Sequence, residues 1–188
     1  MKIKKGQYGY RDKNRQVRLV ITAVLVLAIL VQLFARHLTD TQAAKNILTV
    51  MAILTVLPMA NMASPLLASW KYRTPTRAFY EKIRPYEKKC TIVYDLVVTT
   101  KEQIMPIDAA AVHPNGIYAY CTAKKLDTAK AEKALNELFA ANKLDPRVKL
   151  ICDESSFLRR LDSLKPAEAY EDDGSVEYGA SLLKSLSM

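Results

Sequence analysis

The chain has 188 residues, of which 50% are hydrophobic, and its formal net charge is +9 at pH 7. One globular domain does not combine these values unless its apolar and basic residues are segregated along the chain. They are segregated here, which excludes an ordinary soluble one-domain protein and leaves room for one small soluble domain beside a membrane segment.

Two apolar stretches near the N-terminus contain no charged residue. They cover residues 19–35 and 47–70, and each is long enough to cross a bilayer as a helix, the first at the short end of the range. A signal peptide is the alternative for the first stretch, but no small-residue cleavage site follows it. The sequence therefore predicts a transmembrane hairpin over residues 19–70.

Basic residues are concentrated before the first stretch and after the second, whereas the connecting segment has only Arg36 and Lys45. By the positive-inside rule, both termini are expected to be cytoplasmic. We expect a multi-pass protein of the plasma membrane, and basic flanks without a targeting peptide fit a bacterial one. The same charges fit contact with the lipid bilayer. A nucleic acid partner is possible but not favoured.

The second stretch contains Pro58, Asn61 and Pro65. An intramembrane asparagine can bind the neighbouring helix, a second copy of the chain or another subunit of a membrane assembly. The predicted spans contain no acidic or basic residue that would mark an ion route. The sequence thus favours a packing role over transport, with an accessory subunit of a membrane assembly as one open function.

The remaining sequence is predicted to divide into a basic N-terminus (1–18), a basic connector (71–90), an α/β domain (91–165) and an acidic flexible tail (166–188). Within the connector, Phe79 and Ile83 indicate a short amphipathic helix that is broken near Pro85. In the tail, acidic residues and glycines indicate disorder. A short helix over its last residues would need a partner surface to be stable.

The domain is predicted to have the order β-β-β-α-β-α. Three β-branched stretches separated by turn residues indicate an antiparallel meander, and a helix then crosses over to a parallel fourth strand. Asp127 is expected to cap the first helix, and Ser155 or Ser156 the second. The predicted fold class is α/β, a transmembrane hairpin followed by a small mixed sheet with flanking helices. The predicted strands are 91–99, 107–112, 116–121 and 148–152.

Three short motifs occur in order within residues 94–124: DLVV at 95–98, ID at 107–108 and PNGI at 114–117. This segment resembles the core of the nuclease-related domain, a branch of the restriction-endonuclease-like superfamily. In that family the pattern continues to a strand ending in Glu-x-Lys. The resemblance implies a nuclease-like fold for the domain.

The resemblance places the metal-binding aspartate of the family at Asp108. Two carboxylates in such a site hold a divalent ion that activates water against a phosphodiester, and a lysine steadies the charge. Here Cys121 occupies the glutamate position and Ala123 the lysine position, with Lys124 displaced by one residue. A displacement of one residue in a strand turns a side chain to the opposite face. The resemblance therefore implies a nuclease-like scaffold without the catalytic set.

These features favour a membrane-anchored, non-catalytic scaffold or interaction protein that binds a cytosolic protein or a second copy of itself. No cofactor is expected. The alternative is a membrane-tethered metal-dependent nuclease or nucleic-acid-binding module. It would use Asp95, Asp108 and Lys124 as catalytic candidates, with Asp108 as the candidate metal ligand. Asp108 can instead cap a turn through backbone donors, and His113 is expected in an exposed loop.

Overall fold

A computed structural model describes residues 3–100, 103–123, 126–145, 147–171 and 174–188. The chain forms two compact units. One is Asp12–Lys71, and the other joins the N-terminal residues up to Arg11 to the chain from Tyr72 onward. The predicted class is confirmed: two long apolar helices are followed by a small mixed sheet with further helices.

The first unit contains two helices, α1 (Tyr10–Leu38, whose first residues belong to the other unit) and α2 (Gln42–Ser69). Both are long and apolar enough to cross a membrane. Their large apolar side chains are exposed: Leu27 is 61% and Leu57 65% accessible. Such exposure is unfavourable in water but natural in hydrocarbon.

Polar side chains contact the neighbouring helix at one end of the helical pair and midway along it. The guanidinium of Arg15 lies 5.7 Å from the centre of the Trp70 ring. Midway, the Gln32 side-chain nitrogen and Thr55 Oγ1 are 3.4 Å apart. Helix α2 continues without interruption through Pro58 and Pro65. Near the end of the helix, the Ser69 hydroxyl donates a hydrogen bond to the Pro65 carbonyl at 2.7 Å.

The second unit is built on a sheet whose strands lie in the order β1-β2-β3-β4. The first three strands pair antiparallel and β4 pairs parallel to β3, as predicted. Strands β2 and β3 are joined by a two-residue turn, and β2 is longer than the predicted 107–112. The strands are β1 (Thr91–Thr99), β2 (Ile104–His113), β3 (Gly116–Tyr120) and β4 (Val148–Ile151).

Helices cover both faces of the sheet. Buried residues of α4 and α6 share one apolar cluster with it, whereas those of α3 and α5 share the other. A 3-10 turn, Arg84–Lys88, follows α3 directly and carries the chain through Pro85. The helices are α3 (Arg77–Ile83), α4 (Thr128–Ala141), α5 (Glu154–Ser163) and α6 (Ser175–Leu186).

The predicted caps are partly correct. Asp127 caps α4, because its Oδ1 accepts a hydrogen bond from the Lys130 N–H at 3.2 Å. Helix α5 is capped by Asp153, whose Oδ2 accepts from the Ser156 N–H at 2.7 Å. The expected serine caps at 155 and 156 are therefore wrong by two or three residues, since Asp153 lies shortly before them and aspartate has the same preference for this position.

The C-terminal region differs from the predicted flexible tail. Helix α6 packs on the sheet and buries Ala180 and Leu183. Gly179 faces Val112, since a Cβ at this position would lie 3.5 Å from Val112 Cγ1, an ordinary van der Waals distance. Packing on an existing apolar face stabilises a 12-residue helix that would be marginal alone. The acidic pair at 172 and 173 lies outside the described residues.

Candidate functional site

The regular alternation of side chains changes phase in the middle of β1 and of β2. Val93 and Leu96 of β1 both belong to the cluster on the α4–α6 face, and so do Ile107 and Ala110 of β2. Residues three positions apart in a regular strand face opposite ways. The phase change therefore falls between them, at one aspartate in each strand.

Asp95 is the residue at which β1 changes phase. Its φ of 56° is in the left-handed region, which costs a non-glycine residue about 1–2 kcal/mol. In the register, Asp95 stands opposite Asp108, between the pairs Tyr94–Ala109 and Leu96–Ile107. Both aspartates are almost fully buried, with 1% and 2% of their surface exposed. Two carboxylates inside a core require compensating donors or cations.

Asp108 receives these donors on both of its oxygens. Its Oδ1 accepts a hydrogen bond from Arg11 Nη1 at 2.9 Å, in a salt bridge whose two side chains are both buried. Its Oδ2 accepts from the backbone N–H and the hydroxyl of Thr122, at 3.1 and 2.6 Å. The carboxylate thus joins β2 both to the segment after β3 and to the N-terminal segment of the chain.

Arg11 is the cation at the centre of the site. It is 6% exposed, and its Nη2 donates to the carbonyls of Leu96 and Ile107, at 3.1 and 3.0 Å. Its Nη1 also donates to the carbonyl of Arg73 at 2.6 Å. The planar fork of arginine suits such multiple acceptors better than a lysine would. Arg11 therefore binds β1, β2 and the connector at one point.

Asp95 receives donors from the N-terminal segment and the connector. Its Oδ2 accepts from the Gly9 N–H at 2.7 Å and from Thr74 Oγ1 at 2.8 Å. Burial raises the pKa of Asp95 above its usual range, although the charge of Arg11 and these two hydrogen bonds act in the opposite direction. Arg11 thus stabilises the charged form of one carboxylate directly by a salt bridge and that of the other through its electric field.

The N-terminal segment, residues 4–11, covers part of the outer edge of β1. The carbonyl of Gly6 accepts a hydrogen bond from the Tyr94 N–H at 2.9 Å. Tyr8 stacks on Tyr80 with ring centres 4.4 Å apart and donates to the carbonyl of Pro75 at 3.0 Å. A free strand edge is a site for pairing with other chains, and this segment occupies it.

Residues 187 and 188 cover a further part of this edge. Ser187 Oγ accepts from the Val97 N–H at 3.1 Å, and the Met188 N–H donates to the Val97 carbonyl at 3.0 Å. Lys5 Nζ also donates to the carbonyl of Ser187. The N-terminal segment and the C-terminus thus meet along β1.

The opposite edge of the sheet, β4, is covered by side chains of α4. The Asn136 side chain bonds both backbone groups of Val148, with its Oδ1 2.7 Å from the N–H and its Nδ2 3.3 Å from the carbonyl. Glu132 Oε1 accepts from the Leu150 N–H at 2.9 Å. Neither outer strand therefore presents a long unpaired edge for the addition of another strand.

The three candidate site residues have different outcomes. Asp95 and Asp108 lie together, as a metal site would require, but their partners are Arg11, backbone N–H groups and hydroxyls. Lys124 lies outside the described residues. Among the residues that the structure describes, no three His, Cys, Asp or Glu side chains are grouped closely enough to hold a metal ion.

No family model, curated protein or solved structure matches the chain significantly. Its chemistry is therefore inferred from the fold and from the buried cluster of Arg11, Asp95 and Asp108. This cluster pairs one buried cation with Asp108, beside Asp95, an arrangement that joins chain segments and occupies both carboxylate oxygens of Asp108.

Two neighbouring residues have structural roles. Cys121, at the position of the family glutamate, is fully buried, and burial raises the pKa of its thiol to about 11. It is therefore a neutral side chain of the core. His113 is also buried, contrary to the expected exposed loop: it ends β2, accepts from the Asn115 N–H at 3.1 Å and contacts the Lys165 carbonyl at 2.9 Å.

Arg11 is the functional residue that the sequence did not identify. In the sequence it is one of several basic residues before the first apolar stretch, and nothing local distinguishes it. An indirect signal exists, because two aspartates in otherwise apolar strands require a cation from elsewhere. The sequences of β1 and β2 show that a cation is required, but they do not show which residue supplies it.

Proposed function

We propose that the chain is a non-catalytic interaction protein anchored in the plasma membrane, with a degenerate nuclease-like domain in the cytoplasm. The observation that carries this proposal is the buried salt bridge between Arg11 and Asp108. In the resemblance, Asp108 is the metal ligand. In this chain an arginine takes the place of the metal as its counter-charge, so the carboxylate stabilises the fold instead of activating water.

The arrangement of the chain supports a hairpin anchor with both termini on one side. The N-terminal residues up to Arg11 and the chain from Tyr72 onward belong to one compact unit. The two membrane-length helices lie between them in sequence. If both helices cross the bilayer, the second must return the chain to the side on which it began. The basic flanks then assign that side to the cytoplasm.

The first experiment measures metal binding by the full chain in detergent. Mn²⁺ and Mg²⁺ are titrated calorimetrically into the wild type and into Asp108→Asn, which keeps an acceptor for Thr122 but loses the charge. The proposal expects no binding heat that depends on Asp108. Binding that disappears in the variant, together with metal-dependent cleavage of DNA by the wild type, would overturn it in favour of a membrane-tethered nuclease.

A second experiment tests the anchor, using Cys152 as a natural reporter because it is exposed whereas Cys90 and Cys121 are buried. A membrane-impermeant maleimide should label Cys152 only after intact cells are opened. In the matched variant Cys152→Ser/Asp40→Cys, the reporter lies between α1 and α2 and should be labelled in intact cells. The reverse pattern would contradict the proposed orientation, and extraction of the chain by alkaline carbonate would contradict the anchor.

The interaction itself is expected to involve the folded domain. The outer edges of β1 and β4 are covered by other segments of the chain, so strand addition is not the favoured mode of binding. A partner is instead expected to bind the outer surfaces of the helices. Co-purification of an unrelated membrane protein with the spans, lost when Pro58, Asn61 and Pro65 are changed, would favour the accessory-subunit function over this one.

A further inference from the structure

The connector between α2 and the sheet presents a basic face on a fixed element. Phe79 and Ile83 of α3 are buried on its inner side, and the Phe79 ring stacks on Tyr120 with centres 4.8 Å apart. The following 3-10 turn is held to α5 through Tyr86, whose hydroxyl donates to Asp162 Oδ1 at 2.7 Å. The outer side chains of this element therefore project from a rigid support.

Most charges of the connector are already paired. Arg77 Nε lies 3.0 Å from Glu81 Oε1, and Lys82 Nζ lies 2.7 Å from Glu154 Oε1. Glu87 accepts from the Tyr94 hydroxyl at 2.9 Å. The negative charges of the element are thus used by neighbouring side chains within the domain.

Within α3 and the following 3-10 turn, Arg84 and Lys88 are the basic residues that lack such a partner in the described part of the chain. Both are exposed, and no described residue pairs with either of them. They line a shallow depression together with Glu81 and Pro85. The carboxylate of Glu81 is already paired with Arg77. Two unpaired cations four residues apart beside a fixed proline form a surface that is complementary to a phosphate group.

The position of this pair in the chain indicates the source of the phosphate. Arg84 and Lys88 follow the end of α2 at Ser69 by fewer than 20 residues. Basic residues this close to a span are within reach of the headgroups of the cytoplasmic leaflet, where they are attracted to anionic lipid. Free phosphate in solution is not held close to these two residues in this way.

We infer that Arg84 and Lys88 form a binding site for the phosphate of an anionic lipid headgroup in the bilayer that holds the chain. This inference rests on the proposed membrane anchor and adds a lipid class to it.

The test uses the full chain in an uncharged detergent and measures retained lipid by native mass spectrometry. Phosphatidylglycerol or phosphatidylcholine is titrated into the wild type, into Arg84→Gln/Lys88→Gln and into the control Lys130→Gln/Lys133→Gln. The control removes the same charge from exposed positions on α4. The wild type and the control should prefer phosphatidylglycerol, and the site variant should bind it about tenfold more weakly.

Several outcomes overturn the inference. Equal binding of the two lipids by the wild type would do so, as would an equal loss in the site variant and the control. Displacement of phosphatidylglycerol by a double-stranded DNA oligonucleotide at physiological salt would assign the surface to nucleic acid. Alkaline extraction distinguishes the two proposals: a chain that resists extraction but shows no lipid preference refutes only the lipid site, whereas an extracted chain refutes the anchor as well.

Discussion

The helical unit and the α/β unit use the same apolar residue types in opposite ways. Leu27 and Leu57 of the helices are 61% and 65% exposed, whereas Leu96 and Leu135 of the α/β unit are completely buried. Burial of apolar surface stabilises a fold by roughly 25 cal/mol per Å². The α/β unit therefore gains its stability from its own core, whereas the helical unit leaves its apolar side chains exposed, as in a helix long and apolar enough to cross a membrane.

The polar groups differ in the same way. In the helices, hydroxyl groups bond to carbonyls four residues earlier, as Thr49 does to Lys45 and Thr55 to Met51, both at 2.8 Å. In the α/β unit, Arg11 bonds to Asp108 across 97 positions of sequence. Hydrogen bonds between residues close in sequence suit a helix in hydrocarbon, where each backbone group needs a nearby partner. Long-range pairing fixes a tertiary fold.

The largest expected effect follows from removing the central cation. Arg11→Ala leaves Asp108 buried without its counter-charge, and we expect a loss of about 3–5 kcal/mol in the unfolding free energy of the α/β unit. The measurement is tyrosine near-ultraviolet circular dichroism during denaturation in detergent. Arg159→Ala, an exposed control, should change stability by less than about 0.5 kcal/mol.

A second variant shows whether the charge is the cause. Asp108→Asn in the Arg11→Ala background removes the uncompensated charge and keeps an acceptor for Thr122. The double variant should be more stable than Arg11→Ala alone, because the unpaired buried carboxylate is gone. Equal stability of the two would mean that lost packing around Arg11 accounts for the effect.

The contrast between buried and exposed leucines is tested by replacing one of each with alanine. Leu135→Ala should destabilise the α/β unit by about 3 kcal/mol, because it leaves a cavity in a closed core. Leu27→Ala, on an exposed side of α1, should leave the unfolding transition of the α/β unit unchanged. Trp70 fluorescence follows the helical unit in the same samples. A shift of the tyrosine signal by Leu27→Ala would contradict the independence of the two units.

A smaller effect is expected where the N-terminal segment meets β1. Gly6 has a φ of +90°, and a Cβ there would lie 2.8 Å from Val93 Cγ1. Gly6→Ala should therefore cost about 2 kcal/mol, from backbone strain and from this contact. Gly174→Ala is the matched control: its φ is +73° but no atom lies within 4 Å, so only the backbone strain of about 1 kcal/mol remains.

The smallest effect concerns pH. Burial raises the pKa of Asp95 above the ordinary value of 3.8. The protonated form therefore contributes stability that is complete below the unfolded-state pKa and is lost as pH rises through the folded-state pKa. Asp95→Asn cannot ionise, so its stability relative to the wild type should increase as pH rises above about 4. Thermal unfolding of both proteins across this range, with Asp145→Asn as an exposed control, measures the difference.

The elements of the fold were predictable where local physics decides them. The turn at Pro114 and Asn115 and the cap at Asp127 are signalled by residues with specific backbone preferences. Helix α6 was expected only on condition of a partner surface, because its stability comes from packing on β1 and β2 and not from its composition. The phase change at Asp95 was equally hidden, since a left-handed aspartate has no sequence signature in an apolar strand.

The candidate site likewise contains residues that the sequence identifies and one that it does not. Asp95 and Asp108 were identified from motif order, and their proximity follows from the pairing of β1 and β2. Arg11 was missed because the contact joins residues 97 positions apart. Sequence periodicity describes neighbours within one element, whereas the choice of a buried counter-charge depends on which segments meet after folding.

The salt bridge of Arg11 also sets an order of events during synthesis. Arg11 leaves the ribosome long before Asp108, and both membrane-length helices are made between them. The first residues of the chain must therefore wait, exposed, until β1 and β2 exist to receive them. The buried cluster of the sheet is therefore completed, at the earliest, after both long helices, β1 and β2 have been synthesised.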